Sequence, residues 1–315
     1  MMHDVLYLVV PCYKEEEVLP ETARRLERKL ESLISAGQIS QESRILFVND
    51  GSTDQTWNII ARLHSENKRF CGVNLTRNRG HQNALLAGLM VAKDRCDMAI
   101  SMDADLQDDI DAIDEMIRQC QRGCDIVYGV RSSRKKDTFF KRFTAESFYR
   151  ILNTMGAEIV FNHADYRLMS RRALEGLGQF REVNLFLRGI IPMIGYETAT
   201  VEYERKERLA GESKYPLKKM LTLAAEGITS LSIKPIRFIT VLGLLIFLIS
   251  LVCIIYSVIQ RFLGQGVDGW ESIFCSIWAI GGLILLSLGT IGEYIGKIYL
   301  ETKERPRFLI REILE

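Results

Sequence analysis

Four carboxylates, Asp103, Asp105, Asp108 and Asp109, fall within the nine residues SMDADLQDD (101–109), directly after the apolar run Met98-Ala99-Ile100. Like charges this close repel, and a carboxylate beside a core is costly unless something positive faces it. The D-x-D spacing of Asp103 and Asp105 can hold a divalent cation through two oxygen donors. The rest of its coordination shell is then left to water and phosphate oxygens, the habit of Mg²⁺ at nucleotide sites. A metal so held neutralises charge that builds on a departing diphosphate. Alone, such a pair more often marks a solvated acidic loop than a metal site, so its company decides.

That company is regular. VLYLVV (5–10), RILFVN (44–49), 72–75 and 98–102 read as strands, with helical stretches predicted at about 17–35, 53–67, 80–93 and 110–122. Ser52-Thr53-Asp54-Gln55 has the form of a capping box for the second helix. Alternating β and α units predict a parallel sheet covered on both faces, with ligands beyond the carboxyl ends of its strands. Polar clusters stand at those ends: 11–17, 49–54, 76–82 and 103–109.

In order, VVPCYKEEE, FVNDGSTD, LTRNRGHQ, MDADLQDD, DYRLMSRRA and GESKY, followed by two apolar spans and EYIGKIYLETKERP, resemble the polyisoprenyl-phosphate glycosyltransferases of glycosyltransferase family 2. These include dolichyl-phosphate mannosyltransferases and bacterial undecaprenyl-phosphate glucosyltransferases. The resemblance covers nearly the whole chain. It implies an α/β GT-A (Rossmann-like) fold and inverting transfer of one sugar from a nucleotide-sugar to a lipid phosphate at the cytoplasmic membrane face, with Mg²⁺ or Mn²⁺. It further implies that Pro11, Tyr13 and Glu15 line the nucleotide pocket and that Asp50 hydrogen-bonds the base, while Asp54 orders its turn. Asp103 would face the ribose and donor sugar and stand with Asp105 and Gln107 at the metal. Arg131 would meet the acceptor phosphate, and Arg208 and Lys214 would reach the phosphates as a loop closes. Asp165 holds the position usually proposed as catalytic base. A phosphate monoester has a second pKa near 6 and is largely ionised at pH 7, so orienting the acceptor or helping to bind the metal stand open beside that role. Lys14, Arg79 and Asp109 depart from the residues usual in the family.

From 238 to 259 and from 272 to 292 the chain carries no charge between Phe238 and Ile259, and none before Gly292 in the second stretch. Each is near the roughly 20 residues that cross a bilayer. Lys218, Lys219, Lys234 and Arg237 precede the first; Lys297, Lys303, Arg305, Arg307 and Arg311 follow the second; the loop between has only Arg261. The positive-inside rule predicts a two-helix hairpin with both termini cytoplasmic. The expected organisation is a catalytic domain over 1–210, an interfacial amphipathic segment over 211–235, the hairpin over 236–300 and a cytoplasmic tail over 301–315. RSSRKKDTFFKRF (131–143) reads either as a solvated basic loop or as a segment meeting anionic headgroups. The tail RPRFLIREI alternates enough to add a strand to a neighbouring subunit, and the resemblance implies a homo-oligomer.

With 41 basic and 40 acidic residues, the chain lacks the excess of a nucleic-acid binder. Its seven cysteines form no CxxC pair and read as reduced apolar residues, and its four histidines lack metal-site spacing. No Arg-Trp pair occurs, which argues against a processive polysaccharide synthase. UDP-glucose and UDP-N-acetylglucosamine lead as donors. The alternatives are GDP-mannose and a non-catalytic, membrane-anchored nucleotide-sugar sensor.

Overall fold

A computed structural model describes residues 4–131, 163–183, 185–204 and 270–315, with isolated positions between 236 and 259. Arg208, Lys214, the interfacial segment 211–235 and the basic stretch 132–143 lie outside the described residues.

The sheet is built from β1 (Leu6–Cys12), β2 (Arg44–Asn49), β3 (Phe70–Leu75), β4 (Met98–Ser101), β5 (Ile126–Arg131), β6 (His163–Ser170), β7 (Thr198–Tyr203) and β8 (Ile310–Leu314), in the order β7-β5-β6-β4-β1-β2-β3-β8. β4-β1-β2-β3 are parallel, as the sequence predicts. The sheet as a whole is mixed. β6 runs antiparallel between β4 and β5, and β8 runs antiparallel along β3. The strands are apolar on both sides, and alternate residues part to opposite faces. Leu6, Leu8, Val10, Ile45 and Phe47 enter one core; Tyr7, Val9, Leu46 and Val48 enter the other.

The first core is closed by α1 (Leu19–Ser35) and α4 (Ala112–Gln121), with α2 (Thr56–Glu66) contributing Ile60. Pro20 stands in the first turn of α1, where its missing N–H costs nothing, and Leu19, Ala23, Leu26, Leu30 and Leu33 form its buried stripe. The second core is closed by α3 (His81–Ala92), α5 (Arg171–Gln179) and α6 (Leu187–Met193). α3 lies so close to the sheet that a Cβ on Gly88 would stand 2.5 Å from Val9 Cγ1 and 2.6 Å from Val48 Cγ2.

The predicted capping box does not form. α2 starts at Thr56 without a side-chain cap, and the Ser52 hydroxyl accepts the Lys14 N–H instead (3.0 Å). Asp54 does order the turn, accepting the Thr56 N–H at 3.2 Å.

α7 (Trp270–Thr302) contains the second predicted span but does not stop at Gly292. Glu293, Lys297 and Glu301 recur every fourth residue, so the charges that follow Gly292 fall on one stripe of the continuing helix. Its 33 residues span about 50 Å. The part long and apolar enough to cross a membrane is Ile280–Thr302, and Ile284, Leu285, Leu288 and Ile295 point outward from it. Of the first predicted span, each described position is helical, and Val241, Leu245, Val252 and Ile255 are exposed. Among the described residues only one helix meets the length and apolarity of a span, so the hairpin stands as an expectation.

The tail departs from its prediction. Residues 301–315 do not form a separate tail reaching for a neighbour. β8 completes the chain's own sheet, pairing Gly72 with Leu314 and Leu75 with Ile310.

Candidate active site

The parallel strands β1, β2, β3 and β4 end on one edge, and the four polar clusters follow them there. Pro11 sits inside β1, beyond the last β1–β4 pair (Val9 with Ser101). The neighbouring residues show which way it faces: the Val9 carbonyl serves Met102 toward β4, and the Cys12 carbonyl serves Asp50 toward β2. The missing N–H of Pro11 therefore falls where β4 has ended. Past it, Tyr13 is exposed and Lys14 takes φ 56°. The Glu15 N–H donates to Thr56 Oγ1 at 3.0 Å, tying the loop after β1 to the start of α2.

Asp50, at the end of β2, is buried and grips the neighbouring loop. Its Oδ1 accepts the Arg79 N–H (2.7 Å) and its Oδ2 the Gly80 N–H (2.9 Å). Burial raises its pKa, and these two N–H donors oppose the rise. Below it Asn49 Nδ2 donates to Asn74 Oδ1 at 2.8 Å, so the ends of β2 and β3 are locked together. The loops touch at Gly51, φ 63°, where a Cβ would come within 2.5 Å of the Arg77 carbonyl carbon.

Asp103, Asp105 and Gln107 occupy alternate positions on one loop after β4, which Leu106 bends at φ 54°. The Asp105 carboxylate accepts the Gln107 N–H (3.2 Å), and Gln107 itself is buried. Among the described residues no three His, Cys, Asp or Glu side chains gather to hold a metal unaided. Two carboxylates and a carboxamide, all oxygen donors, nevertheless suit Mg²⁺ or Mn²⁺ when a diphosphate supplies further oxygens.

Antiparallel register brings Asp165 to the same edge. Ser101 pairs with Arg167, which places Asp165 just past the end of β4, and Ser101 Oγ donates to the Asp165 carbonyl at 2.6 Å. Two guanidinium groups hold the Asp165 carboxylate. Arg167 Nη2 lies 2.5 Å from Oδ1; Arg188 Nη2 lies 3.0 Å from Oδ2 and its Nε 3.3 Å from Oδ1. Burial alone would raise the Asp165 pKa, but Arg188, Arg167 and His81 hold it well below the usual carboxylate range. The Asp165–Arg167 pair lies within β6, its two residues holding alternate positions on one face of the strand. Arg167 is 1% exposed, and burial lowers its pKa against the pull of Asp165.

His81, which the sequence placed in a strand-end cluster without a role, joins the two acidic loops. Its Nε2 lies 3.0 Å from Asp103 Oδ1, and its Nδ1 lies 4.0 Å from Asp165 Oδ2. Burial would lower the imidazole pKa, but Asp103 and Asp165 carry it above the ordinary value. Burial likewise pushes Asp103 up, and the hydrogen bond from His81 brings it below its usual value.

On the far side, the Tyr203 hydroxyl donates to Asp108 Oδ1 at 2.6 Å and accepts from Arg131 Nε at 3.5 Å. Tyr166 Oη donates to the Asp109 carbonyl at 2.9 Å and meets Tyr203 edge to face. Burial, with Asp103 nearby, raises the Asp108 carboxyl to about 6. Asp103, Asp105, Gln107, Asp165 and Arg131 thus share one edge with Asp50 and the loop after β1. Sequence reasoning gave no role to His81, Arg188, Asp108 or Tyr203.

The sequence model of Glycosyl transferase family 2 matches residues 7–178. The uncharacterized glycosyltransferase YkoT of Bacillus subtilis (strain 168) is 54% identical over 97% of this chain and 91% of its own length. The bactoprenol glucosyl transferase of Shigella phage SfX is 42% identical over 96% of this chain and 98% of its own. Among solved structures, mannosyl-3-phosphoglycerate synthase from Rubrobacter xylanophilus superposes with a TM-score of 0.50 at 14% identity, covering 84% of this chain and 77% of that one, a likeness of fold.

Proposed function

The chain belongs to glycosyl transferase family 2 and is a glycosyltransferase, and from that premise we propose that it moves one glucose from UDP-glucose to a polyprenyl phosphate at the cytoplasmic face of the membrane. One observation carries the choice of acceptor and sugar: relatives named bactoprenol glucosyl transferase match it over nearly their whole length. UDP-N-acetylglucosamine is the next donor in line, followed by GDP-mannose.

Asp50 and the loops it ties would receive the nucleotide, with Tyr13 and Glu15 on the other wall. Asp103, Asp105 and Gln107 would hold Mg²⁺ or Mn²⁺. When bound, the metal supplies Lewis-acid stabilisation of the leaving diphosphate. Attack from the opposite face inverts the anomeric centre.

The acceptor oxygen is already largely ionised at neutral pH. A carboxylate held as far down as that of Asp165 is a weak proton acceptor. Its two arginines therefore favour an orienting role: Asp165 fixes Arg188 and His81, and Arg188, with 41% of its side chain exposed, would face the acceptor phosphate. Arg131 meets that phosphate from β5. α7 and the helical stretch before it anchor the chain in the bilayer, with both termini cytoplasmic.

The test is a donor panel. Full-length protein with Mg²⁺ and undecaprenyl phosphate is given radiolabelled UDP-glucose, UDP-N-acetylglucosamine, UDP-galactose or GDP-mannose, and label is counted in the organic phase. Label from UDP-glucose is the expected result. Label from GDP-mannose alone overturns the choice of sugar, and intact donors throughout overturn lipid transfer.

A further inference from the structure

The end of α7 does more than anchor. Glu301, in its last turn, accepts the Val183 N–H at 2.8 Å. Five residues past the helix, Arg307 Nη1 donates to the Phe180 carbonyl at 3.1 Å. Glu182 and Glu301 both face the Arg307 guanidinium, which is partly withdrawn from water. Phe308 and Ile310 pack on the same core as Phe180 and Leu185. The described residues at 180–183, none of them in a helix or strand, are therefore held by the foot of the apolar helix.

Its other end enters the site. The Leu187 N–H donates to Gln82 Oε1 at 2.8 Å, next to His81. Arg188 then forms its two bonds to Asp165. Leu187, Ile190 and Ile191 are buried, so α6 is seated in the core just where Arg188 leaves it. Four residues separate Val183 from Arg188, so the two ties lie close together along the chain.

We propose that Glu301 and Arg307 are positioning residues for the acceptor side of the site. They fix the stretch 180–188 to the foot of the membrane helix, and so set Arg188 against Asp165 at a fixed place relative to the bilayer. This rests on the reading of Asp165 and Arg188 as groups facing a lipid phosphate. A lipid acceptor enters from the membrane, whereas a nucleotide-sugar enters from water. The Glu301 and Arg307 contacts bear on the Asp165 side, while a separate bond from the Thr76 N–H to the Leu309 carbonyl ties the loop after β3 to the same tail, so loss of Glu301 leaves that second tie in place.

The experiment uses the full chain in lipid nanodiscs, with Glu301→Ala and Glu301→Gln. Glu301→Ala removes the acceptor for the Val183 N–H, and Glu301→Gln keeps an oxygen there. In Glu301→Ala, kcat for transfer to undecaprenyl phosphate falls at least tenfold while the Kd for UDP-glucose stays within twofold. Glu301→Gln recovers kcat to within threefold of the unchanged chain. Hydrogen exchange in Glu301→Ala rises across both 180–184 and 185–191. A kcat within twofold of the unchanged chain overturns the proposal. So does a loss shared equally with UDP-glucose affinity and tracking a fall in Tm, or a glutamine variant as slow as the alanine one. Should the unchanged chain move no sugar to the lipid, the functional reading fails by itself. Exchange then decides the linkage: a rise confined to 180–184 overturns it, and a rise reaching 185–191 sustains it.

Discussion

Arg188 and Asp165 meet in a two-point ion pair, 3.0 Å from Nη2 to Oδ2 and 3.3 Å from Nε to Oδ1, although one opens a short helix and the other starts a strand. With the fully buried Arg167 on its other side, Asp165 carries the counter-charge for two cations. Its pKa is depressed, so the stability it supplies is complete above the unfolded value near 4 and is lost as pH falls below that.

Asp165→Asn leaves Arg167 buried without a partner charge, which costs about 3–5 kcal/mol. Thermal unfolding at pH 7 will show the deficit, and it narrows below pH 4 as the unchanged chain begins to lose the same pair. Transfer per folded molecule falls only in part, because the nucleophile is already charged. Activity at background with full folding would restore Asp165 as the base.

Asp108 behaves in the opposite sense. Its carboxyl is raised to about 6, so between roughly pH 4 and 6 the folded chain holds a proton that the unfolded chain has released, and stability declines as pH rises through that window. Asp108→Asn keeps an oxygen for the Tyr203 hydroxyl and removes the charge. In EDTA, its Tm exceeds that of the unchanged chain at pH 7.5, and the gain fades toward pH 4. An equal Tm at pH 7.5 contradicts the raised pKa.

Gly51→Ala puts a methyl group against the Arg77 and Asn78 backbone at a positive φ. The two loops that Asp50 joins must part. A stability loss of at least about 2 kcal/mol is expected, with weakened UDP-glucose binding in calorimetry. Unchanged affinity would remove these loops from the donor pocket.

Asp105→Asn, or EDTA with the unchanged chain, abolishes transfer, and added Mn²⁺ restores only the unchanged chain. Full turnover after metal removal would remove the D-x-D loop from the chemistry.

The first four strands and helices were legible to within a few residues because their apolar runs and turn signals are local. The neighbours of Asp165 were not. HADYRLMS reads as a polar segment, and nothing local shows that Arg167 is buried, because its partner lies two residues away on the same face of a strand whose place between β4 and β5 is a matter of topology. His81 lacked metal-site spacing. Its partner Asp103 stands 22 residues on, brought near only because β3 and β4 end on one edge. The signal that could have found it was its position at the first residue of a helix following a strand end. The tail was readable as a strand but not in its pairing, since alternation fixes a strand's faces and not its neighbour.

β8 has a consequence for synthesis. Its Arg311 donates to the Thr76 carbonyl 235 residues earlier, and Arg95 pairs with Glu315. As the chain leaves the ribosome, β3 is made early and remains an open sheet edge until β8 emerges, after the apolar helix. The sheet is thus finished only once the apolar helix has emerged, and a nascent chain that stalls before that point exposes an unpaired strand.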